Sequence, residues 1–231
     1  MEKLSRSSLL IGEEKANQLK DRCVLICGIG GVGSYVLEGL ARMGIGHLIL
    51  VDHDTVSLSN FNRQIIALES TLGKLKVEVA KARVNDIFTD TMVTTYPYFI
   101  NEDNIEEIFS QKIDYVVDAI DTVSSKLLLI DKALKLNIPI ISSMGTGNRL
   151  DPSLLKIMDI SKTSYCPLAR VMRYELRKRG INHLQVLSSL ETPLKIKHDS
   201  NAKVVGSVSF VPSVGGLMIA GKVITDLLNK A

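Results

Sequence analysis

The stretch Cys27-Gly28-Ile29-Gly30-Gly31-Val32-Gly33-Ser34, set between an apolar run and an amphipathic one, constrains this chain more than any other. Ahead of it, Cys23-Val24-Leu25-Ile26-Cys27 is a short unbroken apolar segment, the pattern of a strand buried on both faces. Behind it, Val32, Val36, Leu40 and Met43 recur at helical spacing, so a helix begins at the glycines. A helix that starts directly after a strand aims unpaired backbone N–H groups, and the positive end of its dipole, at whatever lies over the turn. Such a turn is an anion site. Gly28, Gly30 and Gly33 satisfy the pattern G-x-G-x-x-G, with Gly31 between them. Glycines so placed permit the tight turn, the approach of a phosphate and close packing of helix on strand. The pattern names a nucleotide and not a reaction.

The second apolar run, His47-Leu48-Ile49-Leu50-Val51, ends at Asp52. An acidic residue about 20 positions after the glycines, at the carboxyl end of a strand, is placed to accept hydrogen bonds from ribose hydroxyls. A polar stretch over 55–64 closes in Ser59-Asn60-Phe61-Asn62-Arg63-Gln64, and a helix rich in Lys, Ala and Val follows over 74–88. Strands are predicted over 92–98, 115–117 and 138–141, with helices over 101–110 and 124–136 between them. This alternation predicts an α/β fold, a Rossmann-like, mostly parallel sheet flanked by helices. Gly28, Asp52, Asp118 and Asp121 then meet at one crevice. Residues 9–20 suggest a short amphipathic helix, with Arg6 ahead of it on a mobile arm, where it reads as a solvated terminal charge. Beyond 150 the rhythm changes to a strand over 154–160, a helix over 167–179, an open polar loop over 191–207 and a buried helix from Pro212 or Ser213. One domain is expected over 1–231, with an arm and helix (1–20), a nucleotide-binding core (21–150) and a C-terminal extension (151–231).

A chain of 231 residues, 45% hydrophobic, is long enough for one large core. Cys23, Cys27 and Cys166 form no C-x-x-C pair, which argues against a disulfide framework or a four-cysteine zinc site and for a reducing, cytoplasmic setting. The charged N-terminus lacks an apolar signal core, so secretion is not expected. The uncharged stretch 204–221 approaches the length of a membrane span, but Pro212 and several glycines interrupt it, and a buried helix without a membrane is the better reading. The net charge is only +3. Between positions 156 and 203, however, Lys156, Lys162, Arg170, Arg173, Arg177, Lys178, Arg179, Lys195, Lys197 and Lys203 outnumber Asp159, Glu175, Glu191 and Asp199. A basic face beside a nucleotide crevice suits a polyanion such as RNA, although runs of Lys and Arg are more often solvated helix faces. The four histidines are too scattered for a metal site, and His53 is assigned no role.

The motifs Gly28-x-Gly30-Gly31-x-Gly33-Ser34, Asp52-x-Asp54, Ser59-Asn60-x-Asn62-Arg63-Gln64, Gly73-x-x-Lys76 and Asp118-x-x-Asp121 resemble, in order and spacing, those of the ubiquitin-activating-like adenylating enzymes. That superfamily includes the activators of molybdopterin and thiamine sulfur carriers. The resemblance implies that Asp52, with Asp54 beside it, holds the ribose of ATP, and that Asn60, Arg63 and Lys76 contact phosphates. It implies that Asp121 assists Mg2+ and the reacting phosphate, and that Arg6 reaches across a homodimer into the partner's site, against its reading as a terminal charge. Lys74 competes with Lys76, but the spacing from Arg63 favours Lys76. Over nearly the whole chain the sequence is most similar to the tRNA threonylcarbamoyladenosine dehydratases, including Ile141-Ser142-Ser143-Met144-Gly145, Lys162-Thr163-Ser164 and 206–213. The likeness implies ATP-dependent cyclisation of threonylcarbamoyladenosine in tRNA through a carboxyl adenylate, with tRNA meeting the basic C-terminal third. It leaves open a sulfur-transfer protein partner and a monovalent cation that orders a loop.

Three rivals remain. A sulfur-carrier activator adenylates the C-terminus of a ubiquitin-like protein, but such enzymes commonly carry paired C-x-x-C ligands, which this chain lacks. Cys166 then reads either as a transfer thiol or as a small residue where a helix begins. An NAD oxidoreductase leaves Asn60, Arg63 and Lys76 unexplained, and the intact set of phosphate-contacting residues argues against a non-catalytic scaffold that merely binds nucleotide.

Overall fold

A computed structural model describes residues 2–196 and 205–229. The chain opens with two short helices, α1 (Ser5–Ile11) and α2 (Glu13–Gln18), and then alternates: β1 (Cys23–Cys27), α3 (Gly33–Arg42), β2 (His47–Val51), α4 (Lys76–Ile87), β3 (Met92–Tyr96), α5 (Ile105–Ile108), β4 (Tyr115–Asp118), α6 (Val123–Lys135) and β5 (Ile140–Ser143). The C-terminal part adds β6 (Leu155–Asp159), α7 (Pro167–Lys178), β7 (Gln185–Ser189) and α8 (Phe210–Asn229). The strands form one sheet in the order β3-β2-β1-β4-β5-β7-β6. All neighbours run parallel except β6, which pairs antiparallel to β7 with Ile157 opposite Leu187. The expected Rossmann-like architecture is therefore present, with an antiparallel edge.

Why the first strands read as unbroken apolar runs is plain from the core. Successive side chains of a strand point to opposite faces. Val24 and Ile26 join a cluster with Val36 and Leu40 of α3 and Val223 of α8. Cys23, Leu25 and Cys27 join a second cluster with Leu129 of α6 and Met172 of α7 on the other face. Both faces are covered, so no position of β1 tolerates a polar side chain. Burial, aided by Asp114, pushes the Cys23 thiol up to about 12, and burial with Asp118 pushes Cys27 well up too. Neither is a nucleophile at neutral pH.

Helix α8 is long and apolar enough to cross a membrane, yet 56% of its apolar window is buried. It lies against α3 so closely that a Cβ on Gly216 would stand 2.4 Å from the Val32 carbonyl oxygen and one on Gly39 2.6 Å from Ala220 Cβ. It is a core helix of this fold.

Three expectations are corrected. Residues 9–20 are not one amphipathic helix, because Gly12 at φ 87° and ψ 150° lies outside helical geometry and separates α1 from α2. Helix α1 buries no residue, and Leu9 and Leu10 stand 80% and 89% exposed. The segment ahead of Arg6 is not free either: Leu4 is buried, against Gly44. The loop over 191–207 is not open where it is described. Leu194 N–H donates to Asn148 O at 2.7 Å, Gly206 N–H to Asn148 Oδ1 at 2.6 Å, and Asn62 Nδ2 to Ser207 O at 2.8 Å. Lys197, His198, Asp199 and Lys203 lie outside the described residues.

On α3, the buried Glu38 carboxylate accepts from Arg83 Nε at 2.6 Å and Arg42 Nε at 2.7 Å. Burial raises its pKa, but these hydrogen bonds and charges outweigh burial and leave it below its ordinary 4.5. A depressed carboxyl contributes stability that is complete above the unfolded value and lost as pH falls through the folded one. Glu38→Gln is expected to cost roughly 1.5–3 kcal/mol at neutral pH. It should also flatten the loss of melting temperature below about pH 4.5, which thermal melts across that range would show.

Candidate nucleotide site

The carboxyl ends of β1, β2 and β4 open into a cleft of about 540 Å³. It lies where the strand order turns from β1 towards β4, the position at which open α/β sheets bind ligands. The glycine turn is its floor. Gly28, at φ 88°, could not carry a side chain, since a Cβ would sit 2.6 Å from the Ala119 carbonyl oxygen. A Cβ on Gly33 would lie 1.8 Å from Gly28 O, so this glycine lets α3 pack on β1. Gly30 differs: the nearest atom to its Cβ position is Gln64 Nε2 at 4.0 Å, and it faces the cleft. Its missing side chain leaves room for a ligand. Gly30→Ala should hold stability within about 0.5 kcal/mol while weakening ATP binding by roughly 1–3 kcal/mol through overpacking, as calorimetry beside thermal melts would reveal. No side chain caps α3; Ser34 N–H donates to Gly30 O at 3.0 Å and Tyr35 N–H to Val32 O at 3.1 Å, and the positive end of the helix dipole is left at the turn for an anion.

Asp52 staples this floor to β2. Its Oδ2 accepts from Ile29 N–H at 2.6 Å and its Oδ1 from Asp54 N–H at 2.9 Å, and each oxygen keeps a lone pair for a hydroxyl. Lys76, the first residue of α4, is buried and places Nζ 2.7 Å from Asp54 Oδ2. Burial raises the Asp54 pKa, but Lys76 and then His53 outweigh it and hold the carboxyl below its usual range. Lys74 is exposed and outside the cleft lining. Arg63 lies over the turn, with Cγ and Cδ 3.3 Å from the Cβ position of Gly31. Its Nη1 donates to Ser59 O at 2.7 Å and Asn62 Oδ1 at 3.0 Å. Asn60 is buried, and its Oδ1 caps the turn by accepting from Ser57 N–H at 3.1 Å. Its Nδ2 makes only a long contact of 3.4 Å with Ser59 Oγ. Asp121 is exposed at the lip, with a 3.4 Å contact from Thr122 Oγ1.

All of Gly28, Gly30, Gly31, Asp52, Asp54, Asn60, Arg63, Lys76 and Asp121 therefore line one cleft. Gly33 stands just behind it. Arg6 does not join them within the chain. It is exposed on α1, close to Leu4, which packs on Gly44 ahead of the amino end of β2. The donor types fit a nucleoside triphosphate: cations and helix amides for phosphates, a carboxylate for ribose. Asp121, an exposed hard oxygen donor, fits a largely hydrated Mg2+. Asp52, His53 and Asp54 also bring ligand atoms within 4.8 Å of one another, but Asp54 is already held by Lys76.

Asp118 is the exception to the predicted convergence. It points under the floor, fully buried, with Oδ2 2.5 Å from Ser142 Oγ and 2.9 Å from Lys126 Nζ. Lys126 also donates to Ile120 O at 3.0 Å and Ser143 O at 2.9 Å, so all three ammonium protons are used. This hidden pair ties the loop bearing Asp121 to the loop after β5, both of which line the cleft. Sequence reasoning missed Lys126, because lysine is a surface residue by default. It assigned no role to Gln64, whose buried Oε1 lacks a partner among the described residues, although its place in the Ser59–Gln64 run was a signal. Cys166 is buried and caps α7, its Sγ accepting from Ala169 N–H at 3.5 Å.

The family model described as the ThiF family matches residues 4–231. The tRNA threonylcarbamoyladenosine dehydratase of Bacillus subtilis is 43% identical over 243 residues, which is 99% of this chain and 96% of that one. The protein of the same name from Escherichia coli is 39% identical over 168 residues, 73% of this chain and 63% of that one. The crystal structure of E. coli tRNA N6-threonylcarbamoyladenosine dehydratase, TcdA, in complex with ATP superposes with a TM-score of 0.91 at 30% identity, covering 99% of this chain and 95% of that chain. With the family model matched from residue 4 to the last, this chain belongs to the ThiF family.

Proposed function

We propose that this chain is an ATP-dependent, AMP-forming enzyme that cyclises the side chain of N6-threonylcarbamoyladenosine in tRNA, a net dehydration. The observation that carries this reading is the convergence of an anion cradle, a ribose-type carboxylate and two cations in one cleft, in a chain that spans nearly the whole B. subtilis dehydratase. A carboxylate oxygen of the substrate attacks the α-phosphorus of ATP and the bond to pyrophosphate breaks, giving an acyl adenylate. A nitrogen of the same side chain then attacks the activated carbonyl carbon. AMP leaves with the former carboxylate oxygen, so the nucleoside loses one water. The nucleophile is tethered, and its high effective concentration removes the need for a second substrate.

The residues divide the work by charge. Asp52 and Asp54 orient the ribose, and Asn60 directs its free amide nitrogen at phosphate. Arg63 and Lys76 neutralise the charge that gathers on the α-phosphate and on departing pyrophosphate. Lys76 exchanges its hold on Asp54 for phosphate when the nucleotide arrives. Asp121 would hold Mg2+, which when bound supplies further neutralisation of phosphate charge. We read the enzyme as a cytoplasmic homodimer in which the partner's Arg6 completes the site; exposed Leu9 and Leu10 beside Arg6 support that pairing. Residues 151–231 form the substrate side. A sulfur-transfer protein and a monovalent cation are auxiliary parts of this reading.

Sulfur-carrier activation shares the first step, but Cys166, whose Sγ lies beside Gly145 of the cleft, is buried in a helix cap. The test is product analysis. ATP incubated with the protein and modified tRNA should yield AMP and pyrophosphate, only when the tRNA is present. ATP left intact, or conversion to ADP, contradicts the reading.

A further inference from the structure

The outer face of α7 is basic and aromatic in one stripe. Arg170, Val171, Tyr174, Arg177 and Lys178 recur at helical spacing and are all exposed, while Ala169, Met172 and Leu176 face the core. Tyr174 is 62% exposed, and Lys178 Nζ stands 4.1 Å from its ring centroid. The one acid of the helix, Glu175, is already engaged by Lys178 at 3.2 Å and Arg179 at 3.3 Å.

Immediately before the helix, Tyr165 is held at φ 59°. The Cys166 N–H donates to Ser164 O at 2.7 Å, closing a three-residue γ-turn with Tyr165 at its centre. A bulky residue rarely adopts this strained conformation. No packing of its own ring explains it, since Tyr165 is 61% exposed. Its neighbours impose it. Arg173 Nη1 donates to Thr163 O at 3.0 Å and to the Thr163 hydroxyl, pinning the loop from one side. Cys166 caps α7 on the other. The turn abuts the cleft: Gly145, on its rim, would place a Cβ 3.5 Å from Cys166 Sγ, and Leu168 lines the cleft itself.

We propose that this stripe, from Tyr165 along α7 to Lys178, is the surface on which the single-stranded anticodon loop of the substrate tRNA lies. Tyr165 and Tyr174 are stacking platforms for bases, and Arg170 and Arg177 neutralise phosphates. The inference rests on the dehydratase reading for its RNA. Three features select this occupant: net positive charge, aromatic rings interleaved with arginine as in sequence-tolerant recognition of unpaired bases, and a strained, exposed tyrosine in a turn whose following residues, Cys166 and Leu168, reach the nucleotide cleft. Tyr165 then stacks near the reacting nucleoside, and Tyr174, about 10 Å further along the axis than Pro167, takes a base beyond it.

A fluorescein-labelled, unmodified anticodon stem-loop, titrated by anisotropy, tests the surface without turnover. Tyr165→Ala and Tyr174→Ala should each bind roughly 5- to 100-fold more weakly than wild type, and Tyr165→Phe should bind as wild type does. The double change Arg170→Gln/Arg177→Gln should reduce the slope of log Kd against log salt by roughly 1.5. ATP affinity by calorimetry controls for folding. Wild-type affinity in both alanine variants, or no binding by wild type, overturns the proposal. So does a loss of affinity that tracks a change of oligomeric state by light scattering, which would make this face a contact between copies. A protein that binds the probe through these residues yet leaves modified tRNA unchanged refutes the dehydratase reading alone. An active enzyme whose variants bind normally refutes the surface alone.

Discussion

Arg63→Ala and Asp121→Ala are each expected to lower kcat by roughly 10²- to 10³-fold or more, the usual effect of removing one group that stabilises charge in a transition state. Attack of a carboxylate on a triphosphate brings anions together, so the barrier is chiefly electrostatic. Arg63 is the cation that overlies the glycine turn, and Asp121 is the carboxylate left open at the lip. Neither holds the fold together. Arg63 donates to Ser59 O and Asn62 Oδ1 on its own short loop, and Asp121 is exposed, so each variant should melt within about 1 kcal/mol of wild type. Steady-state kinetics with pyrophosphate detection, beside thermal melts, separates loss of chemistry from loss of fold. Turnover near the wild-type rate in either variant contradicts the site.

Lys126→Met should do the reverse and damage the fold first. It strands the Asp118 carboxylate in a fully buried position and frees the Ile120 and Ser143 carbonyls. Breaking one side of a buried pair costs about 3–5 kcal/mol. For a chain of this size that is a fall of roughly 6–20 °C in Tm. Adding Asp118→Asn to Lys126→Met removes the stranded charge, so the double variant should melt above the single Lys126→Met variant. A double variant that melts lower still would mean that the pair is not the stabilising unit. Because Lys126 also ties together two loops that line the cleft, ATP affinity should fall in the single variant even well below its melting temperature.

These two sites also show what the sequence could and could not reveal. Residues whose role follows from local order were legible. The unbroken apolar runs of β1 and β2, the glycine pattern and the Asn60-to-Arg63 and Lys76 spacing all led to elements and residues that line one cleft. What failed depended on long-range pairing. Asp118 and Asp121 stand three positions apart, and only their place at the end of β4 turns one inward and leaves the other at the lip. Strand β7, Gln185-Val186-Leu187-Ser188-Ser189, has too little apolar character to stand out. It is buried because it is inserted between β5 and β6, where Ser188 and Ser189 are covered by neighbours rather than chosen for hydrophobicity. Gly12 was visible, but whether a lone glycine bends or ends a helix depends on what the next turn packs against. Tyr165 carried no sequence signal of its own, because its strained turn is imposed by Arg173 eight positions later.

The central claim is that the cleft activates a carboxylate on a tRNA nucleoside for ring closure. Its most direct test is to incubate the protein with ATP, Mg2+ and tRNA bearing N6-threonylcarbamoyladenosine, then digest to nucleosides under mild conditions and measure their masses. The expected result is ATP-dependent conversion of that nucleoside to a species lighter by one water, with AMP formed in equal amount. An unchanged nucleoside mass, in the presence of a protein that binds ATP, would contradict the claim.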